Sequence, residues 1–264
     1  MTNNKNKIAI LVGAGAVENA WTPLLNIFKI NYGNETDSDS VNFLLAKSIC
    51  ALRLYSKSPK SAIQLKEEQE SVRLMKEVIC EELKQAQNSG ILKPRKEFTT
   101  MLNKFVLCNP NNLFGFVSTN WDTVIDVEAD RWVKEKYMDI ESTKVFHIHG
   151  SIEAYKDIYL PSETSMENYR SDEENYEVGY DHFITAQFMS EANVIILYGI
   201  SLDPLDAELN LLLSGAFTKG KTIREVIIIN PDYQKIRKRV KILLLPRSDI
   251  TIRCFKPQNL EIEL

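Results

Sequence analysis

The sequence predicts an α/β protein with a doubly wound, mostly parallel, Rossmann-like sheet of about six strands and a helical insertion. Six short apolar runs recur along the 264 residues, and helical patterns separate them, as expected of such a sheet. Several runs are unbroken stretches of Val, Ile and Leu, which is typical of strands covered by helices on both faces. The predicted strands are residues 7–12, 114–118, 144–148, 193–198, 225–229 and 251–255.

The chain between the first two predicted strands is far too long for one crossover helix. Apolar residues recur there at helical spacing in residues 41–55, 61–88 and 98–107. We therefore expect residues 34–112 to form a helical insertion packed beside the sheet, within one domain that spans residues 1–264.

Two charged segments follow later in the chain. Residues 162–181 are polar, acidic and nearly free of aliphatic side chains, which predicts a polar loop on the surface. This loop either has no role or acts as a lid or partner-binding loop. Residues 235–241 read KIRKRVK, with apolar residues on one helical side, and predict a helix with a solvated basic face. A protein-partner surface is the first alternative for this helix, and a nucleic-acid surface is the second.

Composition excludes several classes of function. The net charge is −4 and the pI is about 5.6, which argues against a protein that binds nucleic acid or an anionic membrane directly. No window approaches the roughly 18 apolar residues of a membrane span. Residues 1–7 lead straight into a predicted strand and contain no secretory hydrophobic region, so we expect a cytoplasmic protein.

The four cysteines, Cys50, Cys80, Cys108 and Cys254, lie far apart and form no CxxC pair. This spacing argues against a structural zinc site, so we expect no zinc. Their apolar or helical surroundings predict buried free thiols.

The first predicted strand ends in the turn GAGA. Gly13 and Gly15 have no Cβ, so a ligand or another backbone segment can approach them closely. A helix that began directly after this turn would favour a phosphate group. The third glycine of the dinucleotide-binding motif is absent, because Glu18 occupies its position. The turn is therefore either part of a ligand site or a tight turn without one.

Small or polar residues follow five predicted strands, where the carboxyl ends of parallel strands meet at one edge of a sheet. Together they predict a ligand crevice at that edge. The segments are Gly13-Ala14-Gly15-Ala16, Ser118-Thr119-Asn120-Trp121-Asp122, His149-Gly150-Ser151, Gly199-Ile200-Ser201-Leu202-Asp203-Pro204 and Asn230-Pro231-Asp232.

The residue types in this crevice predict specific chemistry. The amide of Asn120 suits a water or a sugar hydroxyl, and Asp122 suits an amide or hydroxyl donor; alternatively, either residue caps the following helix. His149 is placed to take a proton near neutral pH. His147, within the strand, is expected to support the core, with a metal-binding HxH pair as the less favoured alternative. His182 is expected at the surface or against a lid.

These motifs, GAGA, STNWD, HIHGS, LYGISLDP and IINPD in this order, resemble the sirtuin superfamily across nearly the whole chain. The resemblance is closest to its NAD-consuming branch in bacterial antiphage defence. It implies that Asn120 and His149 are the catalytic pair and that Asp122 orients the nicotinamide side of NAD. The implied cofactor contacts are Asp122 with Gly13, Ala14, Gly15, Ala16, Thr119, Gly199, Ser201 and Asn230.

The chain departs from the protein deacylases of this superfamily. Val17 stands where they have a serine, no Asp-Phe-Arg motif follows, and the paired zinc cysteines are missing. We therefore expect an NAD glycohydrolase that releases nicotinamide and ADP-ribose. The alternatives are a silent NAD or ADP-ribose binding module and a zinc-free NAD-dependent protein deacylase.

The resemblance also implies a regulated effector of abortive infection. The predicted sheet and insertion use nearly all of the sequence. We therefore expect control through a homo-oligomer or through a hetero-complex with a separate sensor or regulator protein.

Overall fold

The computed structural model describes residues 5–137, 140–154, 156, 158–245 and 247–264. It contains a six-stranded parallel sheet in the order β5-β4-β1-β6-β7-β8, which confirms the predicted fold class. The strands of this sheet are β1 (Lys7–Val12), β4 (Leu113–Ser118), β5 (Val145–His147), β6 (Val194–Tyr198), β7 (Glu225–Ile229) and β8 (Thr251–Phe255). The chain runs outward from β1 to β5, returns beside β1 as β6, and runs outward to β8.

Helices cover both faces of the sheet. The side chains of β1 alternate between two apolar clusters, with Ile10 and Val12 in one and Ala9 and Leu11 in the other. This explains the unbroken apolar run of the strand, since both of its faces are buried. The helices are α1 (Thr22–Tyr32), α2 (Ser38–Tyr55), α3 (Ala62–Asn88), α4 (Lys96–Phe105), α5 (Val124–Lys136), α6 (Asp172–Ser190), α7 (Ala207–Lys219) and α8 (Tyr233–Leu243).

The predicted insertion is helical, and its helices α2, α3 and α4 lie within a few residues of the expected bounds. Its apolar side chains join the same cluster as Ile10 and Val12. A small antiparallel pairing of β2 (Val17–Glu18) with β3 (Lys93–Pro94) was not predicted from the sequence. This pairing connects the insertion to the chain just after the GAGA turn.

The prediction of a polar loop over residues 162–181 is wrong in its second half. Helix α6 begins at Asp172, because Ser171 accepts a hydrogen bond from the backbone N–H of Glu174 and the Glu174 carboxylate accepts one from Ser171. This reciprocal capping box is readable in the sequence as Ser-x-x-Glu. The acidic run after it led to the loop prediction, although acidic residues are favourable in the first turn of a helix.

The expectation of four buried thiols is half wrong: Cys80 and Cys254 are buried, whereas Cys50 and Cys108 are exposed. Among the described residues, no helix has the length and apolar content needed to cross a membrane. The expectation drawn from residues 1–7 rests partly on residues 1–4, which lie outside the described part of the chain.

Candidate functional site

A cavity of about 340 Å³ lies at the carboxyl edge of the sheet, where β1 and β6 are neighbours and the chain reverses its direction across the sheet. This position is the topological switch point at which open α/β sheets bind ligands. Every predicted site residue except Ala16 lines the cavity. These residues are Gly13, Ala14, Gly15, Thr119, Asn120, Asp122, His149, Gly199, Ser201 and Asn230.

The GAGA turn packs directly against the end of β6. The N–H of Gly15 donates to the carbonyl of Gly199 at 3.0 Å, and a Cβ built on Gly15 would lie 2.7 Å from the Gly199 Cα. Gly199 itself has φ +67°, a left-handed conformation that favours glycine. The glycines therefore permit a close crossing of two backbone segments at the floor of the cavity.

Two expectations for this turn need correction. Ala16 is fully buried in the apolar core and does not line the cavity. A short 3₁₀ turn, Ala14–Ala16, follows Gly13, and α1 begins only at Thr22, so no α-helix starts directly at the turn. The N–H groups of Gly13, Gly15 and Ala16 all donate to carbonyl groups of the protein. The turn therefore lets a ligand approach the backbone closely, but these three N–H groups are not free to bind it.

Asn120 lies at the end of β4 and is 6% exposed. Its backbone is fixed at both ends, since its N–H donates to the hydroxyl of Ser118 and its carbonyl accepts from Nδ1 of His147 at 2.9 Å. Its side-chain nitrogen Nδ2 is buried and has no hydrogen-bond partner among the described residues. A buried amide donor without a partner in the protein is unfavourable, so this group suits a partner from outside the chain, such as a ligand or a water molecule.

His147 lies behind Asn120 and contacts its backbone carbonyl, whereas the sequence predicted only a histidine that supports the core. Its Nε2 lies 3.0 and 3.1 Å from the two carboxylate oxygens of Asp126. Burial lowers the pKa of His147, but the hydrogen bond to Asp126 and its charge outweigh burial and raise the net pKa. Among the described residues, no group of three His, Cys, Asp or Glu side chains is placed to hold a metal ion.

Asp122 is buried, and one of its oxygens accepts a hydrogen bond from the N–H of Val124, the first residue of α5. Asp122 precedes the N-cap residue Thr123, so it is not the N-cap of α5, but it does satisfy the first N–H of the helix. Burial raises the pKa of Asp122 to about 6, and the hydrogen bond from Val124 opposes that shift. The carboxylate is therefore held in an unfavourable, poorly solvated place beside the cavity.

His149 lies at the end of β5 with both ring nitrogens engaged. Nδ1 donates to the carbonyl of Thr119 at 3.1 Å, and Nε2 lies 3.0 Å from Oδ1 of Asp206. Burial lowers the pKa of His149, but the charge and hydrogen bond of Asp206 favour the protonated ring more strongly and raise the net pKa. Asp206 was not predicted from the sequence, because it lies beyond the G-x-S turn at the start of another helix.

The expectation that His182 lies at the surface or against a lid is wrong. His182 is buried, its Nε2 donates to the carbonyl of Ile148, and its Nδ1 lies 3.2 Å from Glu208 without making a hydrogen bond. Burial lowers its pKa. His182 thus supports the residue that precedes His149, with its ring 5.1 Å from that of Tyr159.

Residues 159–163 line one side of the cavity, and we call the segment that contains them, residues 158–170, the 158–170 wall. Glu163, 3% exposed, is paired with Lys76 of α3 at 3.0 Å and with Arg170. Glu167 accepts from Nε of Arg53 of α2 at 2.8 Å. These buried ion pairs fasten the wall to the helical insertion, so residues 162–170 do not lie loose over the cavity.

The wall brings further polar groups to the cavity. The hydroxyl groups of Tyr159 and Ser162 are buried and have no hydrogen-bond partner among the described residues, like Nδ2 of Asn120. Ser162 and Leu202 have φ values of +69° and +50°, which are unusual for residues other than glycine. Orphaned polar groups and strained backbone collect at functional sites.

Asn230 and the basic helix complete the opposite end of the cavity. Nδ2 of Asn230 donates to the carbonyl of Ile200 at 2.9 Å, and its Oδ1 accepts from Asp232, so this side chain braces two turns. Ile236 of α8 is buried, as the predicted amphipathic pattern requires. Lys235 is the one lysine or arginine among the described residues that line the cavity.

No protein-family model matches this chain, and no curated protein sequence matches it either. The fold and the site define a Rossmann-like α/β protein with a ligand-sized cavity at its topological switch point.

Proposed function

We propose that this protein is an NAD glycohydrolase that cleaves NAD to nicotinamide and ADP-ribose. The observation that carries the proposal is the buried, unpartnered amide of Asn120 in a cavity that also contains the His149–Asp206 pair at the neighbouring strand end. The order of the five motifs, which resembles the NAD-consuming sirtuin-like proteins, supplies the substrate class. The cavity of about 340 Å³ has the size of a small-molecule site.

The chemistry suits these residues. Cleavage of the bond between nicotinamide and ribose builds positive charge on the sugar, and nicotinamide leaves as a neutral molecule without a general acid. In this proposal, Asn120 positions the attacking water or a ribose hydroxyl. The proton that is released passes to the pair formed by His149 and Asp206. Asp122 lies beside Asn120 and orients the nicotinamide side. The protein needs no zinc for this reaction, and we expect none in the purified chain.

Control of this activity is part of the proposal. Unregulated loss of NAD would kill the host cell, so we propose a regulated effector of abortive infection, silent until it assembles or meets a partner protein. We propose that it acts in the cytoplasm, where NAD is available, with neither nucleic acid nor membrane as a direct ligand. The net charge of −4 supports this last point.

A binding module that holds NAD or ADP-ribose without turnover is the second candidate. It is favoured by the ring of His149, whose two nitrogens are both engaged within the protein. A zinc-free deacylase is the third candidate and differs from the others in requiring an acylated peptide.

The test measures nicotinamide release from NAD, with and without an acylated peptide, by the concentrated protein and by the complex isolated from its host. We expect release without peptide, reduced by about 10²–10⁴-fold in Asn120→Ala and His149→Ala. Asn111→Ala is the matched control, because Asn111 is exposed at the opposite end of β4.

Three results would contradict the proposal. Bound but intact NAD would support the binding module, and release that depends on peptide would support the deacylase. Undiminished release by a folded His149→Ala variant would overturn the assignment of that residue.

A further inference from the structure

Asp206 lines the cavity next to His149. It occupies the N-cap position of α7, where its Oδ1 accepts a hydrogen bond from the N–H of Leu209 at 3.2 Å. The same oxygen lies 3.0 Å from Nε2 of His149. Oδ2 has no hydrogen bond among the described residues, and Asp206 lines the cavity. The helix cap and the histidine therefore fix one oxygen and leave the other available.

The hydrogen bonds of His149 determine where its protons lie. The carbonyl of Thr119 can only accept, so Nδ1 carries a proton. Nε2 faces a carboxylate, which also favours a proton on that nitrogen. Both ring nitrogens of His149 therefore face oxygen acceptors, and in this arrangement the ring offers a substrate no free lone pair with which to take a proton.

The groups around this pair favour the same charge state. Glu208 on α7 raises the pKa of His149 through its charge. His182 on α6 approaches from the other side, and burial lowers its pKa, which disfavours a second positive charge beside the pair. The carbonyl of Thr119 at the end of β4 completes the surroundings.

We propose that Asp206 is a catalytic residue and that its Oδ2 is the atom that accepts the proton in this cavity. The inference rests on the proposed NAD glycohydrolase activity and deepens it. The bond from C1′ of the ribose to nicotinamide breaks, and its electron pair leaves with neutral nicotinamide. The oxygen of water bonds to C1′, and one proton of that water moves to Oδ2 of Asp206 and later to solvent.

The geometry gives each member of the pair one task. Asp206 lines the cavity, and in this proposal its carboxylate stabilises the positive sugar of the transition state. His149 holds Oδ1 and fixes the direction of Oδ2. The chain thereby uses a carboxylate where the resemblance alone points to an imidazole.

The experiment compares Asp206→Asn with Asp37→Asn. Both replace the N-cap aspartate of a helix by asparagine, which caps equally well, and Asp37 is exposed at the start of α2. The assay uses the form of the protein that releases nicotinamide fastest. We expect a loss of about 10²–10⁴-fold in kcat for Asp206→Asn, unchanged activity for Asp37→Asn, and similar melting temperatures.

A second readout separates catalysis from structure. The pKa of His149, followed by NMR of its ring, should fall in Asp206→Asn, because the paired charge is gone. If His149 acts only by holding Asp206 in place, the alkaline limb of the pH dependence of kcat should shift to lower pH together with the pKa of His149.

The outcomes are distinct. Nicotinamide release that survives in Asp206→Asn overturns the role of Asp206 and leaves the proposed function standing. No release from the wild-type protein in any form overturns both.

Discussion

Asp122 belongs to the proposed site, but its buried carboxylate lowers the stability of the fold. Its carboxyl group is buried beside the cavity, and burial raises its pKa to about 6. The unfolded chain ionises this group near its usual value of 3.8, so the folded state is penalised at every pH at which the carboxylate is charged. Residues kept at such a penalty are candidates for function.

We expect Asp122→Asn to stabilise the protein at pH 8 by about 1–3 kcal/mol, because two pKa units correspond to about 3 kcal/mol. The amide oxygen keeps the contact with Val124. The gain should be absent near pH 4, grow up to about pH 6 and stay constant above it. Urea unfolding across this pH range measures it. Asp37→Asn, at an exposed cap whose pKa is lowered, should show no gain; equal behaviour of the two variants would refute the explanation.

The sequence predicted individual site residues well where they directly follow a strand. Asn120 and His149 belong to that group, because the end of a parallel strand has a known position in the fold. Asp206 and Tyr159 could not be predicted in the same way. They reach the cavity through turns whose path depends on hydrogen bonds between distant segments, such as Tyr159 N–H to the carbonyl of His149.

At the scale of elements, the crossing of the GAGA turn with the end of β6 is the tightest contact beside the cavity. A Cβ on Gly199 would lie 2.6 Å from backbone atoms of Gly15 and Ala16, and its φ of +67° disfavours other residues. Backbone atoms on both sides leave no flexible side chain to move away.

We expect Gly199→Ala to lower the free energy of unfolding by about 2–5 kcal/mol through strain and overlap. Gly215→Ala is the matched control, because Gly215 lies inside α7 with open space where its Cβ would be. That variant should gain about 0.5–1 kcal/mol from helix propensity. Chemical denaturation compares the two, and a Gly199→Ala protein of normal stability would contradict the close crossing.

The ion pairs behind the 158–170 wall give a second prediction. Glu163→Gln leaves the charges of Lys76 and Arg170 buried without their carboxylate, so we expect a loss of about 3–5 kcal/mol. Glu70→Gln removes an exposed pair with Arg73 and should change stability little. Urea unfolding and limited proteolysis of the wall measure both. Equal stabilities would show that the wall is not fastened by Glu163.

Elements were predictable in proportion to their apolar pattern. The strands and α2 to α4 bury regular apolar faces, and their positions in the sequence were close to those observed. Helix α6 begins in an acidic stretch, and β2 and β3 are two residues long with no pattern of their own. Such elements depend on capping and on tertiary contacts, which the spacing of apolar residues in the sequence does not predict.

At the scale of the whole molecule, the proposed activity needs external control. We expect the dilute isolated chain to hydrolyse NAD slowly, and the rate per molecule to rise steeply with protein concentration or in the complex isolated from the host. Assembly that completes a site or excludes water from it raises turnover in this way. Nicotinamide release measured over a dilution series, alongside the oligomeric state, tests this. Fast release that is independent of concentration would refute it.

The pairing of β2 with β3 links the cavity to a distant part of the molecule. The N–H of Arg95 donates to the carbonyl of Ala16 at 2.9 Å, so the GAGA turn is joined to Gly199 on one side and to the segment between α3 and α4 on the other. A ligand that orders the turn must slow hydrogen exchange at Arg95, outside the cavity. This linkage is reciprocal. A molecule that binds the outer surface of α3 or α4 changes the affinity of the cavity for its ligand by a given factor, and the ligand changes the affinity for that molecule by the same factor.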